Sequence, residues 1–537
     1  MSCTSLPPQS RPIWSNWSGN IKHEPPTNGN DYYFAPQTLD ELKTVVANAK
    51  TAGVVLRVSG QRHSQPPLVT DQNAGNVPGA AKNYLIDMSC YADLGSNGDQ
   101  DMVLNADKTK LTINTGVREA NVDEFLTQNN LMMQTVTAGG FFSLGGMTSV
   151  DVHGATVAAP IFSGTVSAFT ILKADGTIET IDTTTPQSDP SLQSWLPIQF
   201  ARVNLGGLGV VTSVTLDVVP RPYANTLQGS ISKFNASSKS KFVSKFESLL
   251  SEHDRLEAFY NPYADGLITK TYMAACWDVV ENPQNPIDNE PFTAGDTCEM
   301  AAKGEYGADI IPGGELGVAA GLAAQKSKIL AGLMTALGMA TIDKQVSTAN
   351  TNHSDLWLSE AVRVMFMSYF IEISKADSDG LGKVYDALQV VGKPMEDGSD
   401  FYIVAPMEFR FITGGDTAMA GTYTETSDSL FVNLDLIGFV EATPSANYQP
   451  ELLKFFADVE RQWVAMGGFP HNGKMYGFYD PTQPAGTYTG AFNPKFLDDL
   501  RQRRGERLQA FSTFRASMDP DGLFYNDYLK ALLEGNS

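Results

Sequence analysis

The sequence predicts an α+β protein of two domains. The chain has 537 residues, which is too long for one ordinary hydrophobic core. Strand and helix patterns alternate over the first 220 residues and then give way to longer strands mixed with helices. We therefore expect an α/β domain over residues 1–220, followed by a domain with an antiparallel sheet covered by helices.

Four segments define the first domain. Residues 32–60 predict a helix and then a strand, because apolar residues at helical spacing precede the run "VVLRV". "LTINTGV" (111–117) predicts a strand, and residues 118–131 predict an amphipathic helix. "SAFTILKADGTIETID" (167–182) predicts a hairpin, since Asp-Gly lies between alternating strands. "VVTSVTLDVVP" (210–220) predicts the closing strand.

The second domain is expected over residues 221–460, because Pro220 and Pro222 mark a boundary. Its clearest strands are "AVRVMFMSYFIEIS" (361–374) and "LFVNLDLIGF" (430–439).

Two helical segments complete the chain. Residues 314–340 are rich in Ala, Gly and Met, and fit either packed core helices or an adaptable lid over a large apolar ligand. Residues 494–533 predict a charged helix, a turn and a closing segment, and they belong to a C-terminal segment, 461–537, that is expected to return to the first domain.

Composition excludes some classes of partner. A net charge of −22 disfavours nucleic acid, and no apolar run reaches the roughly 18 residues of a membrane span. The N-terminus has no apolar signal core, which fits a cytoplasmic protein or a mature secreted form. Four cysteines have no metal-ligand spacing, and spacing leaves open whether Cys276 and Cys298 form a disulfide.

Three glycine clusters lie beside strands of the first domain, at residues 57–64, 137–155 and 204–214. Glycines let backbone N–H groups approach a pyrophosphate closely. The chain lacks GxGxxG in an N-terminal βαβ unit, a GxxxxGK[ST] loop, HExxH and GxSxG. These absences argue against a Rossmann cofactor site, a P-loop enzyme, a zincin and an α/β-hydrolase.

In this order, the clusters resemble the vanillyl-alcohol-oxidase flavoprotein family. The resemblance implies a PCMH-type domain that holds FAD between two α/β subdomains. It also implies that His63 carries FAD covalently, whereas the simpler interpretation of His63 is an ordinary loop imidazole. The expected cofactor-binding residues are Arg57, Ser59, Gly60, Gln61, Arg62, His63, Ser64, Gly139, Ser143, Gly145, Gly146, His153, Gly154, Gly209 and Asn526.

Within that family, the chain is most similar to the covalent-FAD (class II) cholesterol oxidases. "LEAFYNPYAD" (256–265) implies an active-site glutamate at Glu257, which could take the proton of a hydroxyl or be a surface carboxylate. "PMEFRF" (406–411) sets Glu408 and Arg410 on one strand face, either as a structural ion pair or with Arg410 stabilising negative charge on the substrate or flavin.

Two further site positions follow less directly from this resemblance. An asparagine of the family corresponds to Asn433 or Asp435, depending on register, and Asp435 would depart from the pattern. A pocket lysine corresponds to Lys474.

The resemblance implies a secreted oxidase of the 3β-hydroxyl of cholesterol. It would use oxygen, release hydrogen peroxide, isomerise the ketone to the Δ4-3-one and contact lipid surfaces transiently. The first alternative is a sugar, alditol or aldonolactone oxidase of the same family. A flavin-binding protein without catalysis and a dehydrogenase are further alternatives, and sequence alone does not separate an oxidase from a dehydrogenase.

Overall fold

The computed structural model describes most of the chain. The described residues are 14–23, 32–70, 83–137, 140–157, 159–221, 227–264, 270–279, 314–347, 350–351, 364–439 and 448–535. Gly139, Pro222 and Cys298 lie outside these ranges.

The chain begins with a small parallel sheet and one helix. Its elements are β1 (Trp14–Ser15), β2 (Lys22–His23), β3 (Tyr33–Phe34), α1 (Leu39–Ala52), β4 (Val55–Ser59) and β5 (Asn83–Asp87). β3, β5 and β4 pair in parallel in this order, as an α/β unit requires. The Thr38 hydroxyl caps α1 by accepting the Glu41 amide, and Gly53 ends the helix in the left-handed region at φ 62°. β4 then leads directly into the loop that carries His63.

A mainly antiparallel sheet forms the rest of the first domain. Its elements are β6 (Met102–Leu104), β7 (Lys110–Asn114), α2 (Glu119–Gln128), β8 (Leu131–Met133), α3 (Leu144–Ser149), β9 (Val166–Leu172), β10 (Ile178–Asp182), α4 (Pro197–Ala201) and β11 (Val210–Pro220). The order is β10-β9-β11-β7-β6, and β8 pairs with the end of β11. The predicted hairpin is confirmed, since Ile178 of β10 pairs with Leu172 of β9.

The second domain is built on an antiparallel sheet, as predicted. Its elements are β12 (Leu227–Phe234), α5 (Lys239–Glu252), β13 (Leu256–Asn261), β14 (Thr271–Val279), α6 (Gly314–Ala324), α7 (Lys328–Ser347), β15 (Asn350–Thr351), β16 (Val364–Ser374), α8 (Ser378–Asp397), β17 (Met407–Thr413), β18 (Leu430–Phe439), α9 (Pro450–Ala465) and β19 (Phe469–Pro470). Within the described residues the strand order is β15-β12-β14-β13-β17-β18-β16-β19. α5 and α8 pack together, and buried aromatic residues such as Phe242 and Phe409 fill the space between helices and sheet.

The C-terminal segment contacts the first domain. It contains α10 (Pro494–Met518) and α11 (Asp527–Leu533), and Gly505 breaks the helical geometry of α10 with φ 52° and ψ −130°. Leu56 of β4 donates its amide to the carbonyl of Leu523 at 2.8 Å, which ties this segment to the parallel sheet.

The structure does not contain the Cys276–Cys298 disulfide that the sequence left open. Cys276 is a free, buried thiol, so it forms no disulfide with Cys298. Cys90 is disulfide-bonded. In the part of the chain that the structure describes, no helix combines the length and apolar composition needed to cross a membrane.

Candidate functional site

A cavity of about 360 Å³ is lined by the first domain, the large antiparallel sheet and the loop after β19. Its volume is in the usual range of small-molecule sites. The described residues of α6 and α7 do not line it, which argues against the lid interpretation of residues 314–340.

Most of the predicted site residues line this cavity. They are Arg57, Ser59, Gly60, Gln61, Arg62, His63, Ser64, Ser143, Gly145, Gly146, His153, Gly209, Glu408, Arg410, Asp435 and Lys474. Glu257, Asn433, Gly154 and Asn526 do not line it, and Gly139 lies outside the described residues. The Asn526 side chain instead caps α11 and donates to the carbonyl of Pro67 at 2.8 Å.

The glycine clusters meet at this cavity. A Cβ atom on Gly60 would lie 2.2 Å from the Ser143 hydroxyl oxygen, so the first two clusters are in direct contact only because residue 60 is glycine. Arg57 holds the surrounding loops together, since its guanidinium donates to the carbonyls of Leu68, Gly206 and Phe524 at 2.6–2.7 Å. These bonds make Arg57 a structural part of the wall.

His63 lies in an aromatic pocket beside the cavity. Its ring stacks on Trp17 with centroids 5.2 Å apart and meets the edge of Phe142 at 4.9 Å. Burial lowers the pKa of His63 to about 3, and the charges of Lys474 and Arg62 act in the same direction. The imidazole is therefore neutral, and its Nε2 is buried without a hydrogen-bond partner among the described residues.

A charged wall comes from three neighbouring strands. Glu257 of β13 pairs across the sheet with Arg410 of β17, and Glu408 of β17 pairs with Asp435 of β18. Arg410 Nη2 lies 2.8 Å from Glu257 Oε1 and also contacts Glu408 Oε1. Burial raises the pKa of Glu408 well above its usual range, although the Arg410 guanidinium opposes this change. Glu257 thus contacts the guanidinium and not the cavity.

The two residues that the sequence left as alternatives differ in position. Asp435 faces the cavity, whereas the Asn433 amide donates to the Ser368 hydroxyl at 2.9 Å behind the wall. The positive charge of Lys474 acts on the Asp435 carboxylate. Lys474 Nζ lies over the Phe366 ring, 4.0 Å from the ring centre. Burial lowers the pKa of Lys474, and the Asp435 carboxylate acts against that change.

Sequence reasoning missed His471, which also lines the cavity. Its Nδ1 accepts the Gly473 amide at 2.9 Å, and its ring centre is 5.9 Å from that of His153. Burial lowers the pKa of both histidines well below the usual value. The sequence signal that could have identified His471 is that histidine is scarce, with six in the chain, and that this one lies three residues before Lys474.

Asp151 fixes the loop that carries His471 and Lys474. Its carboxylate accepts the Asn472 amide and side chain at 2.7 and 2.6 Å, and the Gly421 amide at 2.7 Å. Arg504 donates to the other side of Asn472 at 2.8 Å. This network therefore connects Asp151, two residues before His153, to the loop that carries His471 and Lys474.

The wall of the cavity carries buried polar atoms that lack hydrogen-bond partners among the described residues. Buried polar atoms normally have hydrogen-bond partners. Five side chains on its wall have a buried polar atom with no partner among the described residues: Trp17 Nε1, His63 Nε2, His153 Nδ1, Arg410 Nε and Asp435 Oδ1. Together with the glycine contacts, these atoms fit FAD bound beside His63.

Comparisons with known proteins agree with an FAD site. Residues 30–182 match the family model of an FAD binding domain, and residues 344–532 match that of D-arabinono-1,4-lactone oxidase. The L-gulono-1,4-lactone dehydrogenase of Mycobacterium tuberculosis is 23% identical over 526 residues, which cover 97% of this chain and 99% of that protein. The D-arabinono-1,4-lactone oxidase of Candida glabrata is 26% identical over 247 residues, 45% of this chain. That alignment covers only 39% of the yeast protein.

Solved structures define the fold. The crystal structure of cholesterol oxidase from B. sterolicum aligns with a TM-score of 0.70 at 16% identity, covering 99% of both chains. The chain therefore has the PCMH-type FAD-binding fold predicted from the glycine clusters. The comparisons support an FAD-dependent oxidoreductase.

The prediction of cholesterol oxidation is wrong. The relatives by sequence and the family model over residues 344–532 are named for aldonolactones. The similarity to cholesterol oxidase, at 16% identity, is a similarity of fold.

Proposed function

We propose that this protein is an FAD-dependent enzyme that oxidises a hydroxyl group of an aldono-1,4-lactone. The observation that carries the proposal is the charged wall, where Glu408, Arg410 and Asp435 face the cavity and Lys474 joins them from the loop after β19. Arg410 Nε and Asp435 Oδ1 have no partner among the described residues, and a polyhydroxylated ring suits such a wall because an apolar ligand would leave both atoms unpaired. The names of the sequence relatives support the same substrate class.

FAD would be held by the three glycine clusters, with His63 as its covalent attachment point. When bound, FAD supplies the acceptor for the hydride that leaves the carbinol carbon. A neutral imidazole with a free Nε2 suits attachment, since only the unprotonated nitrogen is nucleophilic. The test is acid precipitation of the protein followed by measurement of flavin fluorescence in the pellet.

Arg410 would stabilise negative charge on a substrate oxygen. Glu257 and Glu408 both bind its guanidinium and fix the orientation of Arg410. Glu257 would therefore act through Arg410, without contacting the substrate itself. His153 is the group that we expect to accept the hydroxyl proton, because it lines the cavity and its Nδ1 has no partner among the described residues.

The function is tested by turnover of the purified protein with L-gulono-, L-galactono- and D-arabinono-1,4-lactone. Peroxide release identifies oxygen as the acceptor, and reduction of an artificial dye without peroxide identifies a dehydrogenase. Either result supports lactone oxidation. An absence of electron transfer from every lactone, in protein that contains FAD, would refute it.

We also propose that the protein works outside the cell or in another oxidising compartment. Cys90 takes part in a disulfide, and such bonds persist mainly in oxidising environments. Detection of the protein in the culture medium of its source would support this proposal, and strict retention in the cytosol would contradict it.

A further inference from the structure

The Asp435 carboxylate of the charged wall has one buried oxygen without a hydrogen-bond partner among the described residues. The residue is 7% exposed and lines the cavity, and its Oδ1 is buried with no hydrogen-bond partner among the described residues. Ser368 of β16 pairs across the sheet with Asp435 of β18, and the Ser368 hydroxyl accepts the Asn433 amide at 2.9 Å. Ser368 therefore lies beside Asp435 on the neighbouring strand.

The other two carboxylates of the wall are occupied. Glu257 and Glu408 both contact the Arg410 guanidinium. Asp435 forms no ion pair with a described residue, although Lys474 is the charge that acts on it most strongly. A molecule in the cavity can therefore approach the Asp435 carboxylate without breaking an ion pair between described residues.

A buried carboxylate oxygen without a donor is unfavourable, and a ligand hydroxyl relieves it. An amide at the same place would present a donor as well as an acceptor, whereas a carboxylate presents acceptors on both oxygens. Of Asn433 and Asp435, which the sequence left as alternatives, Asp435 is the one that lines the cavity.

We infer that Asp435 Oδ1 accepts a hydrogen bond from a substrate hydroxyl other than the one that is oxidised. Asp435 is then a specificity-determining residue that selects polyhydroxylated lactones over rings that lack this hydroxyl. The inference rests on the proposed lactone oxidation and adds the group that reads the substrate.

The test combines Asp435→Asn with a series of 1,4-lactones that each lack one hydroxyl. The wild-type enzyme should reject one member of the series by about 100-fold or more in kcat/KM, as expected when a buried polar group is left unpaired. Asp435→Asn and Asp435→Ser should reduce that discrimination to less than about 10-fold, because the carboxylate that enforces it is gone. The remaining lactones should keep their relative order.

Asp278→Asn is the matched control, since Asp278 pairs with His253 away from the cavity. It should preserve the full discrimination. Calorimetric binding of the oxidised product and of its deoxy analogue gives a second measurement that does not depend on turnover, and should show the same loss of preference in both Asp435 variants.

Three results would overturn the inference. Equal losses of kcat for every lactone would make Asp435 the proton acceptor instead. Unchanged discrimination in folded, FAD-containing variants would mean that no substrate hydroxyl contacts it. A wild-type enzyme that oxidises the whole deoxy series equally well would show that no such selection exists. If the wild type oxidises no lactone at all, the proposed function has failed, and this outcome is distinct from the other three.

Discussion

Replacement of Glu460 by glutamine is expected to remove a pH-dependent part of the protein's stability. Glu460 lies on α9 and is fully buried. Its carboxylate accepts the Tyr369 hydroxyl at 2.5 Å and the amides of Gly477 and Phe478 at 2.6 and 2.7 Å. These bonds hold the chain just after Lys474, so the carboxylate supports one wall of the site.

Burial raises the pKa of Glu460 from 4.5 to about 7, because desolvation outweighs its hydrogen bonds and the charge of Arg503. A raised folded-state pKa gives stability that is fully present below the unfolded pKa and is lost as the pH rises through 7. One pKa unit corresponds to about 1.4 kcal/mol, so wild-type stability should fall by about 2 kcal/mol between about pH 5.5 and about pH 8.5 through this group alone.

The assay is guanidinium denaturation of wild type and Glu460→Gln at both pH values, followed by tryptophan fluorescence. Their difference cancels the groups that both proteins share. The variant should gain about 2 kcal/mol relative to wild type from the lower to the higher pH. Glu425→Gln, an exposed glutamate, is the control and should show no such change. A difference that is constant with pH would refute the reasoning and mean that the three donors compensate fully for burial.

Three further predictions concern the site. Asp151→Asn should lower the free energy of unfolding by about 2–3 kcal/mol in denaturation, because an amide opposes the buried donors of Asn472; unchanged stability would contradict this. Arg410→Lys should lower kcat/KM for the lactone about 100-fold at unchanged flavin content, since one ammonium cannot replace a guanidinium held by two carboxylates; near wild-type turnover would exclude the assigned role. His63→Ala should abolish acid-stable flavin, whereas His253→Ala, remote from the cavity, should retain it; covalent flavin in His63→Ala would assign attachment to another residue.

The sequence predicted the elements with strong local patterns. The hairpin around Asp175-Gly176 and the long strands β16 and β18 are examples, because turn chemistry and alternation act over a few residues. The two-residue strands β1, β2, β3, β15 and β19 have no periodicity of their own. β3, β15 and β19 form only by pairing with strands that are distant in sequence.

The site was predictable to the extent that its residues lie in local motifs. His63 and the Glu408–Arg410 pair were found in this way. The position of Glu257 behind Arg410 depends on the register of β13 against β17, which the sequence does not specify. The sterol prediction failed because it rested on the short segments around Glu257 and Arg410, whereas the substrate pocket also depends on residues distant in sequence such as Asp435 and His471.

The proposed function requires that bound FAD takes electrons from an aldonolactone. This step is measured by the flavin absorbance of the purified holoenzyme on anaerobic addition of a single lactone, with no acceptor present. We expect loss of the oxidised flavin band with L-gulono-, L-galactono- or D-arabinono-1,4-lactone, and its return when an acceptor is admitted. An oxidised spectrum that persists with all three lactones, in protein whose flavin is reduced by dithionite, would contradict it.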